Sequence, residues 1–144
     1  MLQTIGVRIP LSLQVNSQGY NRFDSCVIDY YLNIYIMREF TYSGFENQET
    51  CNHLRGGETC KVTGIGNSMT PILKSRQPVI VEPVTDKTTL KKRDIVLCKV
   101  RGHHYLHLIH AIKNDKEFLI GNNHGHMNGW VSRNQIYGKV VEIL

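Results

Sequence analysis

A mostly β fold with a short N-terminal arm is what this 144-residue sequence predicts, and three observations carry the prediction. The apolar residues are chiefly Ile, Val and Leu gathered in short runs, and turn-forming residues separate those runs at short intervals. The chain holds 12 Gly and 7 Tyr but few Ala, a balance that suits pleated strands better than long helices. Hydrophobic residues at 41% and charged residues at 20% are near globular averages, which excludes a wholly disordered, collagen-like or coiled-coil chain. The length fits one hydrophobic core plus a small appendage.

Residues 1–60 are polar and weakly periodic, and the expectation for them is a poorly ordered or loosely packed arm with one strand or helix around Cys26 to Phe40. Met37 is a candidate alternative translation start, which the intact mass of natively expressed protein would decide. From Lys61 the pattern changes. Pro78 to Val84, Asp94 to Val100, Tyr105 to Ile112, Glu117 to Ile120 and Ile136 to Ile143 read as strands. Arg101-Gly102, Asn114-Asp115 and the stretch from Gly121 to Gly129 supply turn chemistry between them. The expected domain is therefore 61–144.

Charge follows the same division, since residues 1–60 carry four Arg against six acids and residues 61–144 carry thirteen Lys and Arg against six. A basic domain attracts anionic partners, but these charges lack the interleaved aromatics of single-strand binders. Nucleic acid is thus not expected as a direct partner. No segment approaches the roughly 20 apolar residues that span a bilayer, because Asp29 and Asn33 interrupt even Val27 to Met37. Arg8 and Pro10 break any export-signal pattern in Met1 to Val15, so a cytoplasmic protein with free thiols at Cys26, Cys51, Cys60 and Cys98 is expected. Cys51, His53 and Cys60 could offer three zinc ligands without a CxxC pair, and His124 with His126 is a second weak candidate. The expectation is no metal and no cofactor.

The most specific string is Gly64-Ile65-Gly66-Asn67-Ser68-Met69-Thr70-Pro71-Ile72-Leu73, which leads into Pro78-Val79-Ile80-Val81. It places Ser68 at a loop-to-helix turn ahead of a buried strand, with glycines that let the backbone approach a substrate carbonyl. A lone serine at such a turn is ordinarily a cap. Two further strings accompany it, Lys92-Arg93-Asp94-Ile95-Val96-Leu97 and Gly102-His103-His104-Tyr105-Leu106-His107-Leu108-Ile109. Alternation along the latter puts His104 and His110 on the face opposite His107.

Together these strings resemble the serine peptidase superfamily of signal peptidase I, the LexA-like repressors and their mutagenesis-protein relatives. Members carry a Gly-x-Ser-Met-x-Pro-x-Leu box, a Gly-Asp-Ile-Val strand, and a strand delivering the general base about 40 residues after the serine. Here Ser68 and His107 are 39 residues apart. Phe118-Leu119-Ile120-Gly121-Asn122-Asn123 is similar to the family's Gly-Asp-Asn turn, and Gln135-Ile136-Tyr137-Gly138-Lys139-Val140-Val141 is similar to its closing strand. The resemblance covers about residues 60–144. It implies a LexA/signal-peptidase-like complex β fold and a serine endopeptidase.

In that reading Ser68 is the nucleophile and His107 the base, in place of the usual Lys and as in the endoplasmic-reticulum type. A neutral imidazole can take a hydroxyl proton near pH 7. Gly66, Asn67 and Met69 would line the oxyanion hole and cleft. Asn122 stands where the Gly-Asp-Asn turn has Asp, and Asn128 near where His-type members place an acid; both are candidates to orient His107. Arg76-Gln77 replaces a usual Gly-Asp, and Arg93 replaces a Gly, which bears on loop geometry around Ser68. The implied partner is a peptide or protein with small residues at the cleaved bond, either the chain itself or a soluble protein, and a homodimer remains open. Gly56-Gly57 is one small-residue bond, placed so near Ser68 that cleavage between two molecules is the more plausible route. The rival reading is a catalytically inactive peptidase-like domain that binds a peptide or a regulatory protein.

Overall fold

The structure, a computed structural model, describes Met37, residues 39–42 and residues 48–144. Its elements in chain order are β1 (Glu39–Tyr42), α1 (Gln48–Arg55), β2 (Cys60–Gly64), β3 (Pro78–Pro83), β4 (Ile95–Val100), β5 (His103–Lys113), β6 (Glu117–Gly121), β7 (Met127–Ser132), a 3-10 turn (Arg133–Gln135) and β8 (Ile136–Ile143). The strands form one sheet in the order β1-β2-β3-β8-β4-β5-β6-β7. Only β1 and β2 pair in parallel among these neighbours; every other pairing is antiparallel.

The mostly β expectation holds, and the five strands read from apolar runs appear near their expected bounds. β4 shows why. Ile95, Val96, Leu97, Cys98 and Val100 are all buried, and alternation sends Ile95 and Leu97 to one core cluster and Val96, Cys98 and Val100 to another. A strand covered on both faces reads as a continuous apolar run, so it is easily recognised. β7 begins inside the stretch expected as a turn, because Met127-Asn128-Gly129-Trp130 has little strand character and lies at the sheet's edge.

The compact unit that holds the sheet runs from Arg38 to Leu144 and so includes α1, which lies before residue 60. Cys51, Leu54 and Cys60 belong to the same buried cluster as Val62, Val81 and Leu97. α1 is thus an integral part of this core. Its inward stripe is Thr50, Cys51 and Leu54, too short and too weakly apolar to announce a helix in the sequence. Leu54, only 1% exposed, contributes roughly 2 kcal/mol by burial. The helix ends with Gly57 N–H donating to Leu54 O and Glu58 N–H to His53 O, a Schellman closure that builds Gly56-Gly57 into the cap. The strand or helix expected around Cys26 to Phe40 lies, apart from Met37, Glu39 and Phe40, outside the described residues.

Gly138 is the tightest point of the sheet. It sits on β8 between Pro83 of β3 and Leu97 of β4, and a Cβ there would collide with Val81 Cγ1 and meet Glu82 O and Leu54 Cδ1 at 3.0 Å. Backbone and packed side chains cannot all yield, so Gly138→Ala is expected to destabilise the fold by about 2–3 kcal/mol. Urea unfolding checks this; a variant with an unchanged midpoint would refute the close approach.

Two arginines occupy positions where the resemblance sets glycine. Arg76 has φ 64° and Arg93 φ 76°, both in the left-handed region. The turn geometry survives the side chains: Arg76 N–H donates to Gly64 O at 2.8 Å and Arg93 N–H to Ile109 O at 2.9 Å.

Candidate Ser-His site

β2 ends at Gly64, and the loop that follows carries Ser68. Its base is fixed by Arg76 N–H on Gly64 O and by Gly66 N–H on Ser75 Oγ at 3.0 Å. Its far side is packed, since Met69 is 4% and Leu73 5% exposed within the core, while Ile65 to Ser68 are exposed. The helix expected after Ser68 does not form. A single helix-like bond, Leu73 N–H to Met69 O, closes a run of turns, because Pro71 offers no N–H to continue.

His107 lies on β5 opposite Val96 of β4, 8% exposed, with Tyr105 stacked on its ring at 5.0 Å between centroids. Its Nε2 is 3.1 Å from Ser68 Oγ and its Nδ1 is 2.7 Å from Asn128 Oδ1. An amide oxygen can only accept, so Nδ1 carries the ring hydrogen and Nε2 presents its lone pair. Ser68 O–H then donates to Nε2. This is the tautomer a general base requires.

Burial holds the His107 pKa below its ordinary 6.5; the Asn128 hydrogen bond opposes the shift, and nearby His126 and His110 add to it. The imidazole is therefore neutral at pH 7. A β-bulge interrupts the β5–β6 register between Ile109 and Ala111, around His110. His104 keeps to the alternation and approaches Tyr137, with ring centroids 6.2 Å apart.

Ser68 and His107 open onto a mostly apolar cleft of about 300 Å3, bounded by Gly64 to Gly66, Met69 and Leu73 on one side and by residues 104–107 on the other. Ser75 uses the Gly66 N–H, so Gly66 serves the cleft by its open backbone, φ 129°, rather than as a donor. Hydrogen bonds among the described residues leave the N–H groups of Asn67, Ser68 and Met69 without an acceptor. These are the groups that could receive a developing oxyanion.

The two asparagines have different tasks. Asn128, on β7, holds His107. Asn122 does not meet that ring: its Oδ1 accepts the N–H groups of His124 and His126 at 2.8 and 3.0 Å, and its carbonyl accepts from His110 Nε2 at 2.9 Å. It shapes the β6–β7 turn. From that turn Asn123 N–H donates to Ser68 O at 3.0 Å, and Asn123 Nδ2 to Thr70 O at 2.9 Å. Sequence reasoning gave Asn123 only as part of a turn string and His124 only as a weak metal candidate, and tied neither to the Ser68 loop; their place in an Asn-Asn-His-Gly turn was the available signal.

Among the described residues no group of three or more His, Cys, Asp or Glu gathers as metal ligands would. His53 Nδ1 is engaged by Glu58 at 2.6 Å, and burial pushes the Cys51 thiol up to about 12. No helix among the described residues is long and apolar enough to cross a membrane. Neither a protein-family model nor a curated protein sequence matches the chain.

Proposed function

We propose that this chain is a serine endopeptidase of the signal peptidase/LexA-like superfamily that uses Ser68 and His107 on itself or on a soluble protein. The observation that carries the reading is the relay from Ser68 Oγ through His107 to Asn128 Oδ1, at the mouth of an apolar cleft. Ser68 O–H passes its proton to His107 Nε2 as Oγ attacks a peptide carbonyl, and the Ser68 and Met69 N–H groups receive the oxyanion. The imidazolium then protonates the departing amine. Water, deprotonated by the restored imidazole, hydrolyses the acyl-enzyme. The resemblance supplies the preference for small residues at the cleaved bond. Gly56-Gly57 is a poor candidate for that bond, since it is folded into the helix cap.

A second reading has its own support. Asn128 brings no negative charge to a buried histidine, so the imidazolium formed during catalysis lacks an ionic partner. That suits an inactive peptidase-like domain that keeps the cleft for a peptide or regulatory protein. Intact-mass measurement of purified protein across pH 6 to 9 separates the two. Discrete fragments that increase from the acid side to a plateau are the expected result; an unchanged mass after prolonged incubation, together with an unmodified Ser68 after fluorophosphonate treatment, favours the binding domain.

A further inference from the structure

We infer that His124 is a positioning residue for the nucleophile, and that the β6–β7 turn links the two halves of the Ser-His pair; this rests on the peptidase reading above. Ser68 sits between unlike neighbours. Met69 is locked into the core, whereas Asn67 is exposed and its peptide plane is fixed by hydrogen bonds. His124 supplies the one that reaches in from the β6–β7 turn. Its Nε2 lies 3.0 Å from Asn67 O and 3.1 Å from Thr70 Oγ1. A carbonyl oxygen can only accept, so Nε2 carries the hydrogen and donates to it. Thr70 reinforces the same carbonyl, with its N–H at 3.2 Å and its Oγ1 at 2.9 Å.

The neighbouring Asn123 holds the other side of the loop through Ser68 O and Thr70 O, so both peptide groups flanking Ser68 are tied to one turn. That turn is kept in shape by Asn122 Oδ1, and the strand leaving it carries Asn128, which orients His107. Nucleophile and base are thereby referred to the same short segment. An error of about 1 Å in such a pair costs on the order of 100-fold in rate. An exposed loop restrained on one side only would incur it.

The test uses the full chain as wild type, His124→Ala and His124→Gln, with two readouts. In the first, modification of Ser68 by a fluorophosphonate is followed by intact mass, separating the maximal rate from the half-saturating concentration. His124→Ala is expected to lower the maximal rate about 10-fold or more with little change in half-saturation or thermal midpoint. His124→Gln, whose amide can donate to the same carbonyl, is expected to stay within about 3-fold of wild type. In the second, amide hydrogen exchange at Thr70 and Asn123 should accelerate in the Ala variant and be restored by Gln. Wild-type rates in His124→Ala, or equal defects in both variants, would overturn the positioning role. Should Ser68 be inert even in wild type while the exchange pattern appears as expected, the peptidase reading fails and the positioning of the loop stands.

Discussion

Replacing Ser68 with Ala is expected to abolish self-cleavage and fluorophosphonate labelling, a loss of at least about 1,000-fold, while the thermal midpoint moves little. Ser68 is exposed and its side-chain bond among the described residues is to His107, so the fold has little reason to notice the change. His107→Ala should lose about 100- to 10,000-fold, the span a positioned general base supplies. Because the two residues act as a unit, the double variant should be no worse than Ser68→Ala alone. A double variant that multiplied the single losses would mean that they act independently, and the relay would be the wrong description. If instead a partner binds unchanged to Ser68→Ala and no fragment ever forms in wild type, the cleft is a binding site.

How far the sequence could foretell this site depends on what kind of interaction places each residue. Ser68 and His107 were legible through the resemblance, whose strings run in the same order along this chain; apolar periodicity located β5, whereas β2, Cys60-Lys61-Val62-Thr63-Gly64, is too weakly apolar to be read as a strand. Asn128 was legible only as one of two asparagines. Choosing between Asn122 and Asn128 requires knowing that the turn folds back on itself through Asn122 Oδ1, a side-chain-to-backbone pattern with no periodic trace. His110 shows the same limit. The register shift between Ile109 and Ala111 that surrounds it leaves no trace in the apolar pattern. α1 was missed for a different reason: a helix of eight residues that buries Thr50, Cys51 and Leu54 has too little apolar surface to stand out, yet it closes one face of the core.

Asn128→Asp is the change expected to raise activity most. A carboxylate in place of the amide oxygen, 2.7 Å from His107 Nδ1, keeps the same tautomer and adds a negative charge beside the imidazolium formed as Ser68 attacks. Interaction between charges at such a site, at an effective dielectric near 20, is worth a few kcal/mol before desolvation is subtracted, so a gain of about 10- to 100-fold is expected. The pH profile carries the diagnostic sign. Only neutral His107 can accept the Ser68 proton, and its pKa in the native protein lies below 6.5, so wild-type activity should reach its plateau before pH 7 and fall on the acid side. The Asp variant should raise that pKa and move the inflection to higher pH, toward or above 6.5, even as its plateau rises. Stability follows the same linkage: with the native pKa depressed, the unfolded chain binds more protons below pH 6.5, and wild type loses stability as pH falls through that window. Asn128→Ala, which leaves Nδ1 without its acceptor, should lower activity without the upward shift of the inflection. An Asp variant with the wild-type inflection would show that residue 128 does not contact His107 in solution, and the relay would be reduced to Ser68 and His107 alone.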